Sequence, residues 1–515
     1  MPAPFQRDLA DALERAHKAA PKGVVRSADL SRKDRELLQR AGYLQDIVKG
    51  WYFLVRPGLP AGESTAWYAS FWSFLATYLD ERFGQAYCLS AVSSLELQVG
   101  VTTVPSQVVV ITAHGGKTLL NLPHQTSVLV YQDARGLPAE VEVLEGLRVM
   151  PPAQALARLL PAYFTSHPIN VEVGLRSLAD AGSLIRIILD QRSPTLAGRF
   201  AGAYAHVGDE ARARAIESSA QAVGLAVRRR NPFDRAVPVL PAVVRVKSPV
   251  AGRIQALFQS LREPVLEVFR SVKPSQVRSD EACLHRIDGV YVHDAYNSLS
   301  IEGYQVTPEL IRRIRAGHWN PDGVPQDRQA RDALAAKGYL EAFTVVRGAV
   351  GEILKGREAA AVARDRYQEW YQALFSESVR AGVLEAHRLA GHRNGPVYIR
   401  NSKHVPPRAT SVTDAMEALF DSLHAEQEPV VQAVLGHFFF GFIHPYFDGN
   451  GRLARFLMNV FLAPAGYRWT IIRTERRAAY LDALEQASTQ NDIVAFARLV
   501  RDEMQVDWSK ARNRP

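Results

Sequence analysis

The stretch that most constrains this chain runs from Pro429 to Arg455. Pro429 to Ile443 is apolar almost all round and opens with a proline in a first-turn position, which predicts a helix buried on every side. Farther on, Leu453, Phe456, Leu457, Val460 and Phe461 recur at the spacing of one helical face. Between the two helices lies a loop, His444-Pro-Tyr-Phe-Asp-Gly-Asn-Gly, which delivers Gly449, Asn450 and Gly451 to the start of the second. The glycines permit a tight turn, and a helix start leaves N–H groups unpaired at the positive end of the dipole. Such a place attracts phosphate. Arg452 and Arg455 share one helical face and can reach the same anion. Asp448 offers a hard oxygen to Mg2+, which binds through a carboxylate or two plus substrate phosphates. His444 stands where a general base can meet an incoming hydroxyl. Together these residues suit transfer of a phosphorus-containing group from a nucleotide.

The run from His444 to Arg455 resembles the His-Pro-Phe-x-Asp-Gly-Asn-Gly-Arg-x-x-Arg signature of the Fic (Fido) family, with Tyr446 in place of the phenylalanine. An ordinary Gly-rich interhelix turn would leave the coincidence of these residues unexplained. The resemblance implies an all-α Fic domain with a small β-hairpin flap, and a protein adenylyltransferase that moves AMP from ATP-Mg2+ to a Tyr, Ser or Thr hydroxyl of a target protein. It implies His444 as base and Asp448 as the Mg2+ ligand. Asn450 and the N–H groups of the Gly449–Gly451 turn would stabilise the transferred phosphate, with Arg452 at the β-phosphate and Arg455 at the γ-phosphate. Tyr480 and Asn491 fall where the family shapes its adenine pocket, although Tyr480 reads equally as a core aromatic. Family members also transfer phosphocholine or other nucleotides, and some remove AMP; those chemistries stay open.

A second motif runs from Asn297 to Thr307. Helical period before it (Leu284, Ile287, Tyr291, Ala295) breaks at Gly303, which puts Glu302 in the last turn of a helix. A carboxylate there faces the negative end of the dipole, disfavoured by roughly a few tenths of a kcal/mol. A positive partner is expected. The run resembles the family's inhibitory motif, Ser/Thr-x-x-x-Glu-Gly/Asn, matched by Ser298, Glu302 and Gly303. That implies a self-inhibited, class II arrangement in which Glu302 pairs with Arg455 and withdraws it from the γ-phosphate. Between the motifs, Gly395-Pro-Val-Tyr-Ile-Arg400 and Val405-Pro-Pro407 bracket a polar turn that reads as a hairpin, the flap on which the family holds its target by strand addition.

At 515 residues the chain is long enough for about three domains. Cys88 and Cys283 are its two cysteines, too far apart in sequence to suggest a disulfide framework or zinc. The charged N-terminus lacks a signal-peptide core and no run is apolar enough to span a bilayer, so a cytoplasmic location without membrane contact is expected. The net charge of +9 permits an acidic partner without requiring one.

Residues 1–57 read as a winged helix-turn-helix: a helix over 4–20, a second from Ser31 to Ala41 with Ser31 as N-cap, and a hairpin around Gly50. Eleven basic residues against seven acidic give this stretch +4. Arg32, Lys33, Arg35 and Arg40 on the second helix and Lys49 on the wing can contact DNA phosphates or simply form a solvated face. Residues 58–227 mix helices (66–79, 90–97, 153–160, 171–189) with β-branched strands at 108–112 and 128–131. The N-terminal half is similar to the AbiEi-like antitoxins of abortive-infection systems through Leu37-Leu-Gln-Arg-Ala-Gly-Tyr-Leu44, Gly50-Trp-Tyr and the run from Tyr87 to Leu97. That resemblance implies a DNA-binding domain followed by a mixed α/β domain, usually an autoregulator of transcription; an unrelated protein-binding module is the alternative. Residues 228–250, dense in proline and arginine, read as a linker. Residues 251–515 form the all-α Fic domain, with the inhibitory helix at about 284–303. The fold class is therefore multidomain, α+β then all-α. Two functions follow: an adenylyltransferase, or a DNA-binding regulator of toxin–antitoxin type whose Fic domain senses nucleotide. A homodimer is compatible with either.

Overall fold

Capping chemistry sets the first elements. Ser31 accepts the Asp34 N–H at 3.1 Å and starts helix Arg32–Arg40, and Gly42, at φ +76°, turns the chain out of it. Strands β1 (Val24–Arg26), β2 (Leu44–Val48) and β3 (Trp51–Leu54) form an antiparallel sheet in the order β1-β3-β2, with Gly50 at φ +85° in the turn before β3. Ala12 and Ala16 of helix Pro4–Ala19 pack with Val25, Leu38 and Leu44. The structure is a computed structural model that describes residues 4–20, 23–55, 57–58, 63–233, 248–274, 279–317 and 331–508. The chain divides into two units: Met1–Pro249 with Tyr398–Val405, and Val250–Val397 with Pro406–Pro515.

In the first unit a second sheet follows in the order β4-β5-β7-β6 (Tyr87–Leu89, Gln107–Thr112, Thr126–Gln132, Thr118–Leu122). Its central pair, β5 and β7, is parallel, and these are the two strands expected from β-branched runs. Trp67, Phe71 and Phe74 of helix Thr65–Phe83 pack with Val108, Val110, Val128 and Val130, and with Trp51 and Phe53 of β3, so one aromatic core joins both sheets. The hairpin β8–β9 (Glu142–Leu144, Leu147–Val149) has no counterpart in the sequence reading. The helical run expected over 171–189 is two helices, Pro168–Ser177 and Gly182–Asp190.

The linker expected at 228–250 is corrected at both ends. Arg230 donates its N–H to Gly198 O at 2.9 Å, and a Cβ on Gly198 or Gly202 would strike the Arg228 or Arg230 carbonyl; these two glycines, four apart, make a groove that docks the chain on helix Pro194–His206. Phe233 is buried. A helix already begins at Pro249, and residues 234–247 lie outside the described residues.

Among the described residues the second unit is helical. Helix Pro429–Ile443 is buried at every position but Pro429 and Gly441, as its all-round apolar pattern requires. Helices Arg331–Leu354 and Ala359–Arg380 run so close that a Cβ on Gly338 would sit 2.1 Å from Leu374 O. The expected flap hairpin is not formed as a ladder between residues 395–400 and 405–407: Pro396, Pro406 and Pro407 lack the N–H donors for one. Residues 398–405 count with the first unit, where His404 bridges Thr103 and the Val405 N–H donates to Thr102 O at 2.8 Å. No described helix is long and apolar enough to cross a membrane.

Candidate active site

The apolar helix Pro429–Ile443 ends because His444 adopts a left-handed conformation (φ 54°, ψ 61°) and still donates its N–H to Phe440 O at 3.0 Å. The imidazole is half-buried, with Nδ1 3.2 Å from Gly441 O. If Nδ1 carries the proton, Nε2 keeps its lone pair. Burial pushes the His444 pKa down to about 4; the Gly441 carbonyl, Glu302 and Asp448 oppose the shift, while Arg393 adds to it. The ring is therefore a neutral base at ordinary pH.

The loop is then folded from within. Asn450 Oδ1 accepts the Tyr446 N–H at 3.0 Å, and its Nδ2 donates to Tyr446 O at 2.8 Å. The Asn450 amide, 2% exposed, thus braces the loop through its oxygen and one of its two N–H groups. Tyr446 stacks on Tyr371 with ring centroids 3.7 Å apart, so the aromatic that replaces phenylalanine anchors the loop to the helix beneath. Gly449 stands at φ +84° before helix Asn450–Leu462, and a Cβ there would lie 2.9 Å from the Phe375 ring. Only glycine satisfies both constraints.

Both signature arginines are buried. Arg452 lies between the Tyr304 and Phe375 rings, 5.2 and 5.0 Å from their centroids, and donates to Asp448 Oδ1 at 3.2 Å. Arg455 donates Nε to Ser298 Oγ at 2.8 Å, and Nη2 to Ser298 O at 3.0 Å and Glu302 Oε1 at 2.7 Å. Burial works against its charge, and Glu302, with Tyr480 and Tyr339, outweighs that, raising the Arg455 pKa. Among the described residues, Arg452 Nε and Arg455 Nη1 are buried without a hydrogen-bond partner. Two such donors on adjacent arginines at a helix N-terminus suit an anion with several oxygens. Asp448 presents an exposed carboxylate beside them, a fit for a cation shared with phosphate oxygens. No group of three His, Cys, Asp or Glu side chains among the described residues could hold a metal by itself.

The second motif meets the first where expected. Helix Asp280–Ile301 ends with Glu302 as its C-cap and Gly303 at φ +87°; the Tyr304 N–H closes back on Leu299 O at 3.1 Å, a Schellman turn. The turn presents the Glu302 carboxylate to Arg455. A Cβ on Gly451 would sit 2.3 Å from Glu302 Oε1, so the signature's second glycine also makes room for the carboxylate.

Three supports escaped the sequence reading. Asn297 Oδ1 accepts from Thr474 N–H at 2.9 Å, Arg477 Nε donates to Ile301 O at 2.7 Å, and Tyr339 OH donates to the buried Asp294 at 2.7 Å. All three tie helix Asp280–Ile301 to its neighbours in the second unit, at Thr474, Arg477 and Tyr339. Tyr480 is 2% exposed, its hydroxyl 3.0 Å from His437 Nε2 and in electrostatic contact with Arg455; Asn491 is an exposed left-handed helix cap. In the first unit, Arg32 pairs with Glu36 (2.7 Å), Lys33 with Asp8 (3.2 Å), and Arg35 donates to Ser27 O (3.2 Å), while Arg40 and Lys49 are exposed.

Residues 362–462 match the Fic/DOC family. The chain is 31% identical over 229 residues to a protein named protein adenylyltransferase Fic from Nematostella vectensis, covering 42% of this chain and 47% of that one. It is 37% identical over 245 residues to the protein of the same name from Culex quinquefasciatus (44% and 43%), and 36% over 269 residues to that from Drosophila ananassae (48% of each). The chain thus spans about half the length of the curated relatives it matches. Among solved structures, Fic-1 (residues 134–508) from C. elegans aligns with 63% of this chain and 89% of its own at 18% identity and a TM-score of 0.36. The family match opens inside helix Ala359–Arg380 and closes at Leu462, the last residue of the helix bearing Arg452 and Arg455, so the second unit carries a Fic/DOC-family domain.

Proposed function

We propose that this chain is a protein adenylyltransferase held off by its own Glu302. The observation that carries the reading is the pair of buried arginines with spare N–H groups at a helix N-terminus, on the helix that follows a neutral histidine. Nε2 of His444 takes the proton of a Tyr, Ser or Thr hydroxyl on a protein target. The hydroxyl oxygen forms a bond to the α-phosphorus of ATP, the bond from that phosphorus to the bridging oxygen breaks, and pyrophosphate leaves. Backbone N–H groups of the Gly449–Gly451 turn face the transferred phosphate, with Asn450 holding their geometry. Arg452 serves the β-phosphate. Arg455 reaches the γ-phosphate once Glu302 has moved away. Asp448 is the residue to hold Mg2+, which when bound offsets phosphate charge.

The test uses ATP labelled at the α-phosphate and compares wild type, Glu302→Gly and Glu302→Gly/His444→Ala for label on the protein itself or on lysate proteins. Label that appears with Glu302→Gly and vanishes in the double variant supports the reading. Silence from all three, with ATP still bound, overturns it in favour of a nucleotide sensor or another donor. A second reading, compatible with the first, makes the N-terminal unit a DNA-binding regulator. What favours it is the antiparallel β2–β3 pair following a short helix, with Arg40 and Lys49 exposed beside it.

A further inference from the structure

We infer that Arg393 is a positioning residue that ties the two ends of the 395–407 segment to the backbone of His444. The inference rests on the adenylyltransferase reading for its consequence and on geometry for its substance. Arg393 is 4% exposed. Its Nε donates to His444 O at 2.8 Å, its Nη1 to Gly395 O at 2.9 Å, and its Nη2 to Pro407 O and, at 3.4 Å, to Ile443 O. Its own N–H donates to Pro445 O at 2.9 Å. One side chain thus gathers carbonyls from both sides of residues 396–406 and from the catalytic loop.

The reason lies in donor supply. Ile443 and His444 end a helix, so their carbonyls are among the acceptors a helix leaves unpaired at its negative pole. Prolines at 396, 406, 407 and 445 remove backbone donors from the surroundings. A guanidinium, with five N–H groups in a planar fork, meets this demand; a lysine ammonium does not match the geometry. Because the same guanidinium holds Gly395, Pro407 and His444, a shift of the segment that would grip a target is felt at the base that would activate the target's hydroxyl. The charge has a second effect. The His444 imidazole is faced by Arg393, which disfavours its protonation, and by Glu302 and Asp448, which favour it.

The experiment places Arg393→Met and Arg393→Lys in the Glu302→Gly background. It measures single-turnover self-labelling from α-labelled ATP, ATP affinity, and amide hydrogen exchange in peptides covering 393–397 and 441–448. The expected result is transfer slowed about 100-fold by Arg393→Met, as for a misplaced reacting group, with ATP affinity nearly unchanged. Arg393→Lys should recover part of the rate, and exchange should quicken in both peptides. Transfer within about three-fold of the parent overturns the inference, and so does ATP affinity falling in step with the rate, which would make Arg393 a fold residue only. Exchange that quickens in one peptide alone breaks the tie between them. Should the Glu302→Gly parent fail to label, the adenylyltransferase reading falls, while the exchange data still decide whether Arg393 joins the two segments.

Discussion

In the first unit Arg32 leans on Glu36 with 83% of its side chain exposed; in the second, the Arg452 and Arg455 side chains are 1% and 4% exposed and retain N–H groups without partners. Both sets sit on short helices beside acidic residues, and a tally of charge treats them alike. The physics separates them. An exposed pair in the i, i+4 relation contributes little to stability and is screened by salt. A buried guanidinium must be matched by carboxylates, carbonyls or rings, and a donor left over after matching marks room for an anion. The Arg32 charge is therefore a surface property, whereas Arg452 and Arg455 carry theirs inside the fold, and the comparison can be broken by substitution.

The largest effect belongs to the base. In the Glu302→Gly background, His444→Ala should lower label transfer by about 100- to 10,000-fold, the range for a lost general base. Replacing Arg32, Lys33 and Arg35 together by alanine should leave transfer unchanged. Equal losses from both changes would erase the distinction between the units.

Next comes the inhibitory pair. Freeing Arg455 from Glu302 restores a charge-assisted hydrogen bond to a bound triphosphate, about 1.5–3 kcal/mol, so Glu302→Gly should tighten ATP binding by about 10- to 100-fold by calorimetry. Gly451→Ala sharpens the point, since its new methyl group would collide with Glu302 Oε1, the far end of a flexible side chain. It should tighten ATP binding over wild type and add nothing in the Glu302→Gly background. Weaker binding in both backgrounds would mean the methyl group obstructs the phosphate instead.

How much of this could be read from residues alone depends on how far apart the partners lie. His444, Asp448, Gly449, Arg452 and Arg455 fall within one turn-helix, where spacing dictates geometry, and they were legible. Glu302 was legible because a carboxylate at a helix end needs a cation, and Ser298 only through the resemblance to the inhibitory motif. Arg393 was not, since its partners are carbonyls, which every residue owns, and they come from separate segments. Tyr304 and Phe375 were missed for a related reason: an aromatic that stacks on a guanidinium has no periodicity distinguishing it from core. The hydrogen bonds of Asn450 to both backbone groups of Tyr446 were not legible either, because a motif position records that an asparagine is needed without recording which way it faces.

Buried titrating groups give a smaller effect with a definite sign. Burial pushes His437 down to about 3 from 6.5, so between those values the unfolded chain binds a proton that the folded chain refuses. Its contribution is complete above pH 6.5 and is lost as pH falls. Asp294 runs the other way: raised by burial to about 6 from 3.8, it contributes below 3.8 and loses that contribution as pH rises through about 6. His437→Gln, whose amide can still meet the Tyr480 hydroxyl, should flatten the fall of melting temperature between about pH 6.5 and 4.5. Melting curves of wild type and variant that stay parallel over that range would show the histidine charging without unfolding.

The smallest effect tests the first unit on its own terms. Arg40 and Lys49 are exposed, whereas Arg32, Lys33 and Arg35 are engaged by Glu36, Asp8 and the Ser27 carbonyl. Arg32→Ala should therefore leave the midpoint of a denaturant titration unchanged. If the unit binds DNA, its phosphate contacts fall first to the side chains that make no hydrogen bond or ion pair among the described residues. Arg40→Ala/Lys49→Ala should then weaken retention of duplex DNA more than Arg32→Ala/Lys33→Ala. It should also flatten the plot of log affinity against log salt by about 0.9 for each phosphate that is no longer neutralised. A reversed order would mean that the helix-face pairs open on DNA, bringing the first unit's arginines closer in kind to Arg455, which in the proposed mechanism likewise leaves a carboxylate before it meets a phosphate.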